Sequence, residues 1–441
     1  AIPVAMPTRQ DVGVAIAAVA SPIAIPGPTP IRSVAVVAVA SLTMTAAEMP
    51  TRSVADAVAA VVVSLTAIPA PMPIRSAGAA ETELTQPTWR PLLSIQRIDD
   101  LISGMDFQPG MLDMARSDPP ISRPDYSFES GMIDRGAVAR NFQQGATIVL
   151  PQLHQVDATL AGFTRSIESL LSCHVQTNIY LTPPEAQGFK THYDDHDVFV
   201  LQVEGSKSWR LYDTPVQNPY RGEGFQPGAH EVGEPVQEFV LHAGECAYVP
   251  RGLMHDASTH GHDVSLHITV GLIVKTWADL MLEVVSDVAL RRPEFRHALP
   301  VGFARPDFDR TQSAIHFKTL MAAINDEADL DSSYDIFVDN FIRSRTPNTQ
   351  GTIVNLDTPN KAGQSYRLRP LVPWRLAEDG DEVVIITAGG EVRFPATAEP
   401  GLHILLDGGE ISESSFEGLD EDQRQDTLKK LFAFGICTPV E

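Results

Sequence analysis

The chain has 441 residues, 43% of them hydrophobic, so it can bury more than one core, and two or three domains are expected. Its formal net charge of −23 argues against a nucleic-acid backbone as an electrostatic partner, whereas a basic partner is easily accommodated. No apolar run approaches the roughly 20 residues that cross a bilayer, and three cysteines without a Cys-x-x-Cys pair favour a reducing, cytoplasmic compartment.

Residues 1–84 differ in composition from the rest of the chain. The first 80 contain ten prolines but no Phe, Trp or Tyr, and the first aromatic residue is Trp89. The phrases MPTRQ, TPIRS, MPTRS and MPIRS recur there, with their arginines 23, 20 and 23 residues apart. Because this degenerate repeat lacks large residues and is short for a helical solenoid, we predict a mobile or loosely helical extension without a catalytic role.

Helical and strand patterns begin after this extension. Apolar residues have helical spacing over residues 94–102 and 158–171. The second predicted helix leads into a strand that carries Asn178 and Tyr180 on one face. Strands then dominate to about residue 275.

The segment GFKTHYDDHDVFVLQVEGSKSWRLY, residues 188–212, places His192 and Asp194 at the start of an apolar strand. Residues two apart in an extended chain face the same way, so this imidazole and this carboxylate can bind one metal ion. His255, which follows a short apolar strand and a Pro-Arg-Gly turn, offers a third ligand. Two histidines and one carboxylate make the facial triad of non-haem iron oxygenases, which leaves positions on Fe(II) open for a cosubstrate and dioxygen.

A lone His-x-Asp pair occurs by chance in many chains, so its surroundings matter. Residues 198–203 form an apolar run with one polar residue, a Glu-Gly turn follows, and residues 207–212 have the pattern of a return strand. Lys207 therefore opens the strand beside the metal pair, where a cation suits the far carboxylate of a dicarboxylate such as 2-oxoglutarate. The alternative is that Lys207 is a solvated hairpin lysine.

Other titratable residues near these motifs have structural explanations. His196 shares the face of Asp194, and we predict that it lines the pocket or the barrel mouth rather than binds metal. Asp195 and Asp197 point to the opposite face, toward solvent or backbone donors. His267 is either a pocket residue or a satisfied core histidine.

After residue 275 the sequence predicts helices first, and then a segment that contains both strands and helices. Residues 277–290 and 315–342 have a helical period. From residue 367 onward, strands at 382–387 and 392–394 precede helices at 401–406 and 420–434, an order that a winged helix would show. This stretch carries seven Arg and Lys against fifteen Asp and Glu, so DNA binding is disfavoured and protein contact is the expected role.

These motifs also carry a resemblance to a known family. QTNIYLTPP, HYDD and EGSKSWRLY within residues 176–212, then YVPRGLMH, and SLHITVGL at residues 265–272, occur in the order of the Jumonji-C ribosomal oxygenase family. Its members are 2-oxoglutarate- and Fe(II)-dependent protein hydroxylases of cupin fold. The resemblance implies an α+β chain with a double-stranded β-helix at residues 85–275, a helical dimerisation region at 276–366 and a winged-helix-like domain at 367–441.

Carried over by position, the resemblance implies that His192, Asp194 and His255 bind Fe(II) and that Lys207 binds the distal carboxylate of 2-oxoglutarate. The implied reaction, which also uses dioxygen, is hydroxylation of an arginyl or histidyl side chain of a ribosomal protein by a homodimer. The same chemistry on another peptide or a small molecule, lysine demethylation and a non-catalytic cupin binding module remain alternatives.

Three further positions follow from the resemblance. Asn178 stands where relatives have a polar residue beside the cosubstrate, and Tyr180 stands where they contact the substrate peptide. Gly271 replaces a serine that lines the pocket in the animal relatives. This departure puts the substrate preference of those relatives in doubt for this chain.

Overall fold

The computed structural model describes residues 36–37 and 89–440, with the exception of Ala362. The extension predicted at residues 1–84 thus lies outside the described residues, apart from a two-residue strand. The chain divides into two compact units, one ending at Val274 and the other beginning at Lys275. In the part of the chain that is described, no helix combines the length and apolar character that a membrane span needs.

The unit that ends at Val274 contains three helices and ten strands among its described residues. The helices are α1 (Ile95–Gly104), α2 (Arg135–Gln143) and α3 (Ala158–Leu171). The strands are β1 (Val36–Val37), β2 (Asp113–Ala115), β3 (Thr147–Pro151), β4 (His174–Thr182), β5 (Asp197–Glu204), β6 (Ser206–Leu211), β7 (Gln237–His242), β8 (Cys246–Val249), β9 (His255–Thr259) and β10 (Ser265–Ile273).

The strands form two antiparallel sheets, between which the chain repeatedly crosses. The larger has the order β1-β8-β5-β10-β4-β3-β2, and the smaller has the order β7-β6-β9. The chain passes from β5 to β6, from β7 to β8, from β8 to β9 and from β9 to β10 by changing sheet each time. This winding is a double-stranded β-helix, and it confirms the predicted cupin fold.

Alternation along β4 separates the hydrophobic core from the interior of the barrel. Val175, Ile179 and Leu181 are buried in a core that includes Phe163 and Ile167 of α3. Because successive side chains point to opposite faces, the alternate residues of β4 face the other way, toward the barrel interior. A second cluster, which includes Val198, Val200, Trp209, Leu241 and Val249, joins strands of the two sheets. The barrel interior is therefore lined from both sheets.

The predicted Glu-Gly turn is present between β5 and β6. Gly205 has φ +64°, and a Cβ there would lie 2.2 Å from the carbonyl oxygen of Val264. Only glycine tolerates both the left-handed backbone and this close approach. The turn brings Lys207 onto the strand that follows β5, as the sequence predicts.

The unit that begins at Lys275 starts with helices and ends in a mixed α/β segment. Its helices are α4 (Trp277–Arg291), α5 (Thr311–Glu327), α6 (Leu330–Arg343), α7 (Glu399–Leu406) and α8 (Glu421–Ala433). Its strands are β11 (Tyr366–Leu368), β12 (Trp374–Asp379), β13 (Glu382–Thr387), β14 (Gly390–Pro395) and β15 (Cys437–Pro439).

Most predicted elements of this unit are present, with two differences. The helical pattern at residues 315–342 is interrupted, because α5 ends at Glu327 and Asp329 accepts a hydrogen bond from the Asp331 N–H at the start of α6. The sequence analysis also missed three strands, β11, β12 and β15. Of these, β12 pairs with β13 and completes a three-stranded sheet with β14. Apolar residues of β13 and β14 share a buried core with leucines of α7 and α8.

Candidate metal centre

The three predicted metal ligands lie together at one end of the barrel. His192 and Asp194 belong to the segment before β5, and His255 is the first residue of β9. One possible ligand atom from each of them lies within 4.8 Å of the other two. The His255 Nε2 is 3.9 Å from an Asp194 carboxylate oxygen. Among the residues that the structure describes, no other three His, Cys, Asp or Glu side chains lie this close together.

Backbone and side-chain hydrogen bonds fix both imidazoles. The His192 N–H donates to the His255 carbonyl at 3.1 Å, and the His255 N–H donates back at 2.7 Å. The His192 Nδ1 lies 2.8 Å from the Lys190 carbonyl oxygen, and the His255 Nδ1 lies 2.9 Å from the Leu253 carbonyl oxygen. A carbonyl can only accept, so Nδ1 carries the proton and Nε2 keeps the lone pair that binds metal. Burial, followed by the nearby His192, lowers the pKa of His255 and favours this neutral form.

The turn before His255 requires a glycine. Gly252 has φ +83°, and a Cβ there would lie 2.1 Å from the Val216 carbonyl oxygen. Its N–H donates to the carbonyl of Asp194 at 2.9 Å, so the turn also holds the segment that carries the carboxylate ligand. The Pro-Arg-Gly motif is therefore part of the geometry of the site.

Replacing Gly252 with alanine is expected to lower the free energy of unfolding by about 1–3 kcal/mol through backbone strain, and further through the clash with Val216. Gly261 offers a matched control, since it has φ +79° but an added Cβ meets nothing within 4 Å. Urea denaturation should show a larger loss for Gly252→Ala than for Gly261→Ala. Equal losses would mean that the close contact at residue 252 is easily relieved.

The ligands face a cavity of about 90 Å³ inside the barrel. Its wall includes the aliphatic residues Val198, Val200 and Val249, and the polar residues Thr147, Tyr180, Lys207, His267 and Thr269. The cavity wall therefore combines aliphatic side chains with a few polar groups, a composition typical of small-molecule sites.

Lys207 is a buried cation that lines this cavity. Its side chain is on β6, the central strand of the smaller sheet, and only 5% of the residue is exposed. Among the described residues its amine makes no hydrogen bond and no ion pair, and burial lowers its pKa to about 7. The solvated hairpin lysine is thus excluded. An unpaired buried ammonium is costly, so the cavity is suited to an anionic group.

Two further polar atoms in the cavity wall lack partners. The Nδ1 of His267 and the Nε1 of Trp209 are buried and make no hydrogen bond to any residue that the structure describes. The His267 ring stacks on Tyr180 at 4.8 Å between centroids, and burial together with the charge of Lys207 lowers its pKa. His267 is therefore a pocket residue rather than a satisfied core histidine. The sequence analysis missed Trp209.

Asn178 and Tyr180 are the two β4 residues to which the family resemblance assigns a role, and only Tyr180 lines the cavity. Tyr180 lines it and contacts Phe189 edge to face at 5.8 Å. Asn178 lies on the same strand face but is not among the described residues that line the cavity, and its Oδ1 accepts from the Gln152 N–H at 3.2 Å. Tyr180 is thus better placed than Asn178 to contact a bound molecule.

His196 joins neither the metal group nor the described residues that line the cavity and the groove, and its ring lies against a glycine. A Cβ on Gly271 would lie 2.8 Å from two atoms of the His196 ring. The ring Nδ1 is 3.2 Å from Asp195, whose other carboxylate oxygen accepts from the Gly222 N–H at 3.3 Å. Asp197 accepts from the Tyr248 hydroxyl and the Arg251 N–H.

A larger open groove of about 1300 Å³ reaches two of these ligands, His192 and Asp194, from outside. The groove shares His192, Asp194, Phe189 and Asp256 with the cavity. Part of its wall comes from the segment between β6 and β7, where the Tyr193 hydroxyl donates to the Glu223 carbonyl at 3.1 Å. A molecule much larger than the cavity can therefore approach the metal ligands.

Comparison with known proteins gives matches across the barrel. Residues 151–280 match the family model described as JmjC domain. The chain is 37% identical over 180 residues to the bifunctional lysine-specific demethylase and histidyl-hydroxylase NO66 of Dictyostelium discoideum, a match covering 38% of this chain and 34% of that protein. It is 29% identical over 307 residues to ribosomal oxygenase 1 of Danio rerio, covering 63% and 53%.

The chain thus spans about a third to a half of the length of these curated relatives. A solved structure of Escherichia coli ycfD matches with a TM-score of 0.47 and 16% identity, covering 79% of this chain and 91% of that one. The JmjC match includes the segments of all three metal-binding side chains and of Lys207. Residues 151–280 of this chain are therefore similar to the JmjC domain, and the chain's curated relatives include a histidyl-hydroxylase and a ribosomal oxygenase.

Proposed function

We propose that this chain is a 2-oxoglutarate- and Fe(II)-dependent oxygenase that hydroxylates an arginyl or histidyl side chain of a ribosomal protein. The observation that carries the proposal is the pairing of a His-Asp-His group with an unpaired buried lysine in one cavity. The His-Asp-His group suits Fe(II) and leaves coordination positions open on the metal. The lysine suits a carboxylate.

The spacing of the two features fits one dicarboxylate. Leu211 pairs with His255, and Lys207 pairs with Thr259, so the lysine lies four residues along the sheet from the histidine ligand. Four residues of strand span about 13 Å. The extended lysine side chain and a five-carbon dicarboxylate can cover this length together. The unpartnered Trp209 N–H can also donate to a bound anion.

The residues of this chain have separable tasks in the proposed reaction. When bound, Fe(II), 2-oxoglutarate and dioxygen would supply the oxidation that places one oxygen atom in a carbon–hydrogen bond, while the other oxygen atom converts 2-oxoglutarate to succinate and CO₂. His192, Asp194 and His255 hold the metal, and Lys207 orients the cosubstrate. The valines of the cavity wall exclude water, which strengthens the interaction between Lys207 and a carboxylate.

A basic protein substrate is supported by charge and by access. The net charge of −23 attracts a basic protein at long range, and the open groove leads from the surface to the metal ligands. The Danio rerio relative is named a ribosomal oxygenase, and the Dictyostelium relative is named a histidyl-hydroxylase as well as a demethylase. We therefore propose a ribosomal protein as the substrate class.

The proposal is tested by mass spectrometry of peptides. Anaerobically purified protein is supplied with Fe(II), 2-oxoglutarate and oxygen, with and without an extract of ribosomal proteins, and peptide masses are read for a gain of one oxygen. Consumption of 2-oxoglutarate without any modified peptide would retain the chemistry and reject the substrate. Loss of methyl groups would favour demethylation, and the absence of all turnover would favour a binding module.

We also propose that residues 276–366 pair two copies of the chain. Helix α4 exposes Trp277, Met281 and Val285 at successive i, i+4 positions, with 71%, 53% and 36% of these residues exposed. Phe317 and Met321 of α5 are also exposed and four residues apart. Contiguous exposed apolar residues of this kind mark interaction surfaces.

Replacing Trp277 and Met281 together with aspartate is expected to convert a dimer into a monomer, because two charges would be buried in the proposed interface. Light scattering coupled to size exclusion measures the mass directly. Phe434→Asp is the control, since Phe434 is 45% exposed on the C-terminal segment, outside residues 276–366. A wild-type monomer, or a dimer that survives the double substitution, would reject this surface.

The C-terminal segment is proposed to be a winged-helix-like domain that contacts proteins. The order of β13, β14, α7 and α8 supports the fold, and the excess of acidic residues from residue 367 onward opposes contact with phosphates. We also propose a cytoplasmic location, because the three cysteines are buried and no disulfide joins them in the described part of the chain, which suits a reducing compartment.

A further inference from the structure

Asp256, the residue after the ligand His255, is a buried carboxylate with four hydrogen-bond donors around it. Only 3% of the residue is exposed. One carboxylate oxygen accepts from the Nε of Arg210 at 2.8 Å and lies 2.8 Å from its Nη2. The other accepts from the hydroxyls of Thr191 and Tyr212, both at 2.7 Å. A buried carboxylate with this many hydrogen bonds is held in one position.

The donors of Asp256 come from both sides of the metal group. Thr191 directly precedes the ligand His192, whereas Arg210 and Tyr212 lie at the end of β6 and just beyond it. Asp256 therefore joins the segment that carries His192 to the two paired strands β6 and β9 of the smaller sheet.

The segment that carries His192 needs such a connection. Its pairing with β9 is an isolated bridge at His192 and His255, not a continuous ladder. The Gly252 N–H, which donates to the Asp194 carbonyl, holds the segment on the C-terminal side of His192. The Thr191–Asp256 hydrogen bond holds it on the N-terminal side, one residue away from the bridge, and its loss would let the His192 imidazole move relative to that of His255.

We propose that Asp256 is a positioning residue, which acts through Thr191 to hold the His192 and His255 imidazoles at metal-binding distance. The inference rests on the metal centre of the proposed function and adds to it a residue that acts through another side chain. Groups that orient metal ligands without binding the metal typically contribute 10–100-fold to metal affinity.

Binding of Co(II) to the intact chain tests this role without turnover. Visible absorption reports the ligand set, and titration gives the dissociation constant. Asp256→Ala is expected to weaken Co(II) binding by about 10–100-fold, and Thr191→Val, which removes only the hydroxyl, by a smaller factor. Because Asp256 is proposed to act through Thr191, Thr191→Val should cause no further loss when Asp256 is already alanine.

A matched control separates positioning from general stability. Asp157 is also a buried carboxylate, and it accepts two backbone hydrogen bonds at the start of α3. Asp157→Ala should lower the unfolding midpoint without changing the Co(II) dissociation constant. If Asp256→Ala does not fold, Thr191→Val decides the matter, because unchanged Co(II) affinity in that variant overturns the inference.

The remaining outcomes distinguish this inference from the proposed function. If the wild type and His192→Ala bind Co(II) equally, the metal centre itself is wrong. If His192→Ala loses binding but Asp256→Ala stays within twofold of the wild type, the centre stands and the role of Asp256 is rejected. Additive losses for Asp256→Ala and Thr191→Val would also reject it, since the two side chains would then act separately.

Discussion

Replacing Asp194 with alanine is expected to lower both Fe(II) affinity and 2-oxoglutarate turnover by more than about 100-fold, because even groups that only orient metal ligands cost 10–100-fold. Asp194 supplies the one anionic donor of the group, and the two remaining donors are neutral imidazoles. Without it, the site has too little charge and too few donors to hold a ferrous ion. Metal titration and succinate production measure the two effects separately.

The neighbouring aspartate provides the control for this prediction. Asp195 lies one residue further along the same segment but accepts from the Gly222 N–H and contacts His196 rather than joining the metal group. Asp195→Asn should retain Fe(II) binding. Loss of metal binding in both variants would indicate that the segment had moved, and retention in both would show that Asp194 is not a ligand.

The metal group could be predicted because its information is largely local. His192 and Asp194 are two residues apart, and His255 follows a turn that needs its glycine. Lys207 could be placed because a short turn fixes which strand comes next. The bridge between His192 and His255, in contrast, joins residues far apart in sequence. The sequence analysis predicted from the chemistry of the triad that the two histidines bind one metal ion, but no pattern in the chain predicted their backbone pairing.

What sequence reasoning missed depends on register between distant strands. Asp256 accepts from Arg210 and Tyr212 only because β6 and β9 pair with Arg210 opposite Asp256. A slip of one residue would turn each side chain to the other face, and no local signal fixes this pairing. The same limit applies to Trp209, which lines a cavity built from both sheets, and it left two possibilities open for His267.

The C-terminal unit shows the corresponding limit for helices. A helical period over residues 315–342 does not reveal a break, because a periodic pattern can continue through a short interruption. The break was nevertheless signalled by Asp329, an N-cap residue type followed by another acidic residue in the first turn of α6. Capping residues inside a long apolar period therefore carry more information than the period itself.

Replacing Lys207 with methionine is expected to raise the Michaelis constant for 2-oxoglutarate by about 10–100-fold, since a hydrogen bond to a charged group contributes about 1.5–3 kcal/mol and each 1.4 kcal/mol is tenfold. Methionine keeps most of the apolar volume of the side chain, so the barrel should still fold. The Fe(II) affinity should not change, because Lys207 lies four residues along the sheet from His255. Kinetics at several cosubstrate concentrations measure the effect.

The affinity for 2-oxoglutarate should depend on pH if Lys207 binds its carboxylate. Burial lowers the pKa of Lys207 to about 7 in the ligand-free chain, and a bound carboxylate favours the protonated amine and raises that pKa. Below pH 7 the amine is already charged and affinity is constant, whereas above pH 7 binding must take up a proton and affinity falls. Lys207→Met should abolish this dependence, and Lys275→Met, which changes a lysine outside the barrel unit, should retain it. A wild-type affinity that does not decline above pH 7 would show that Lys207 does not bind the carboxylate.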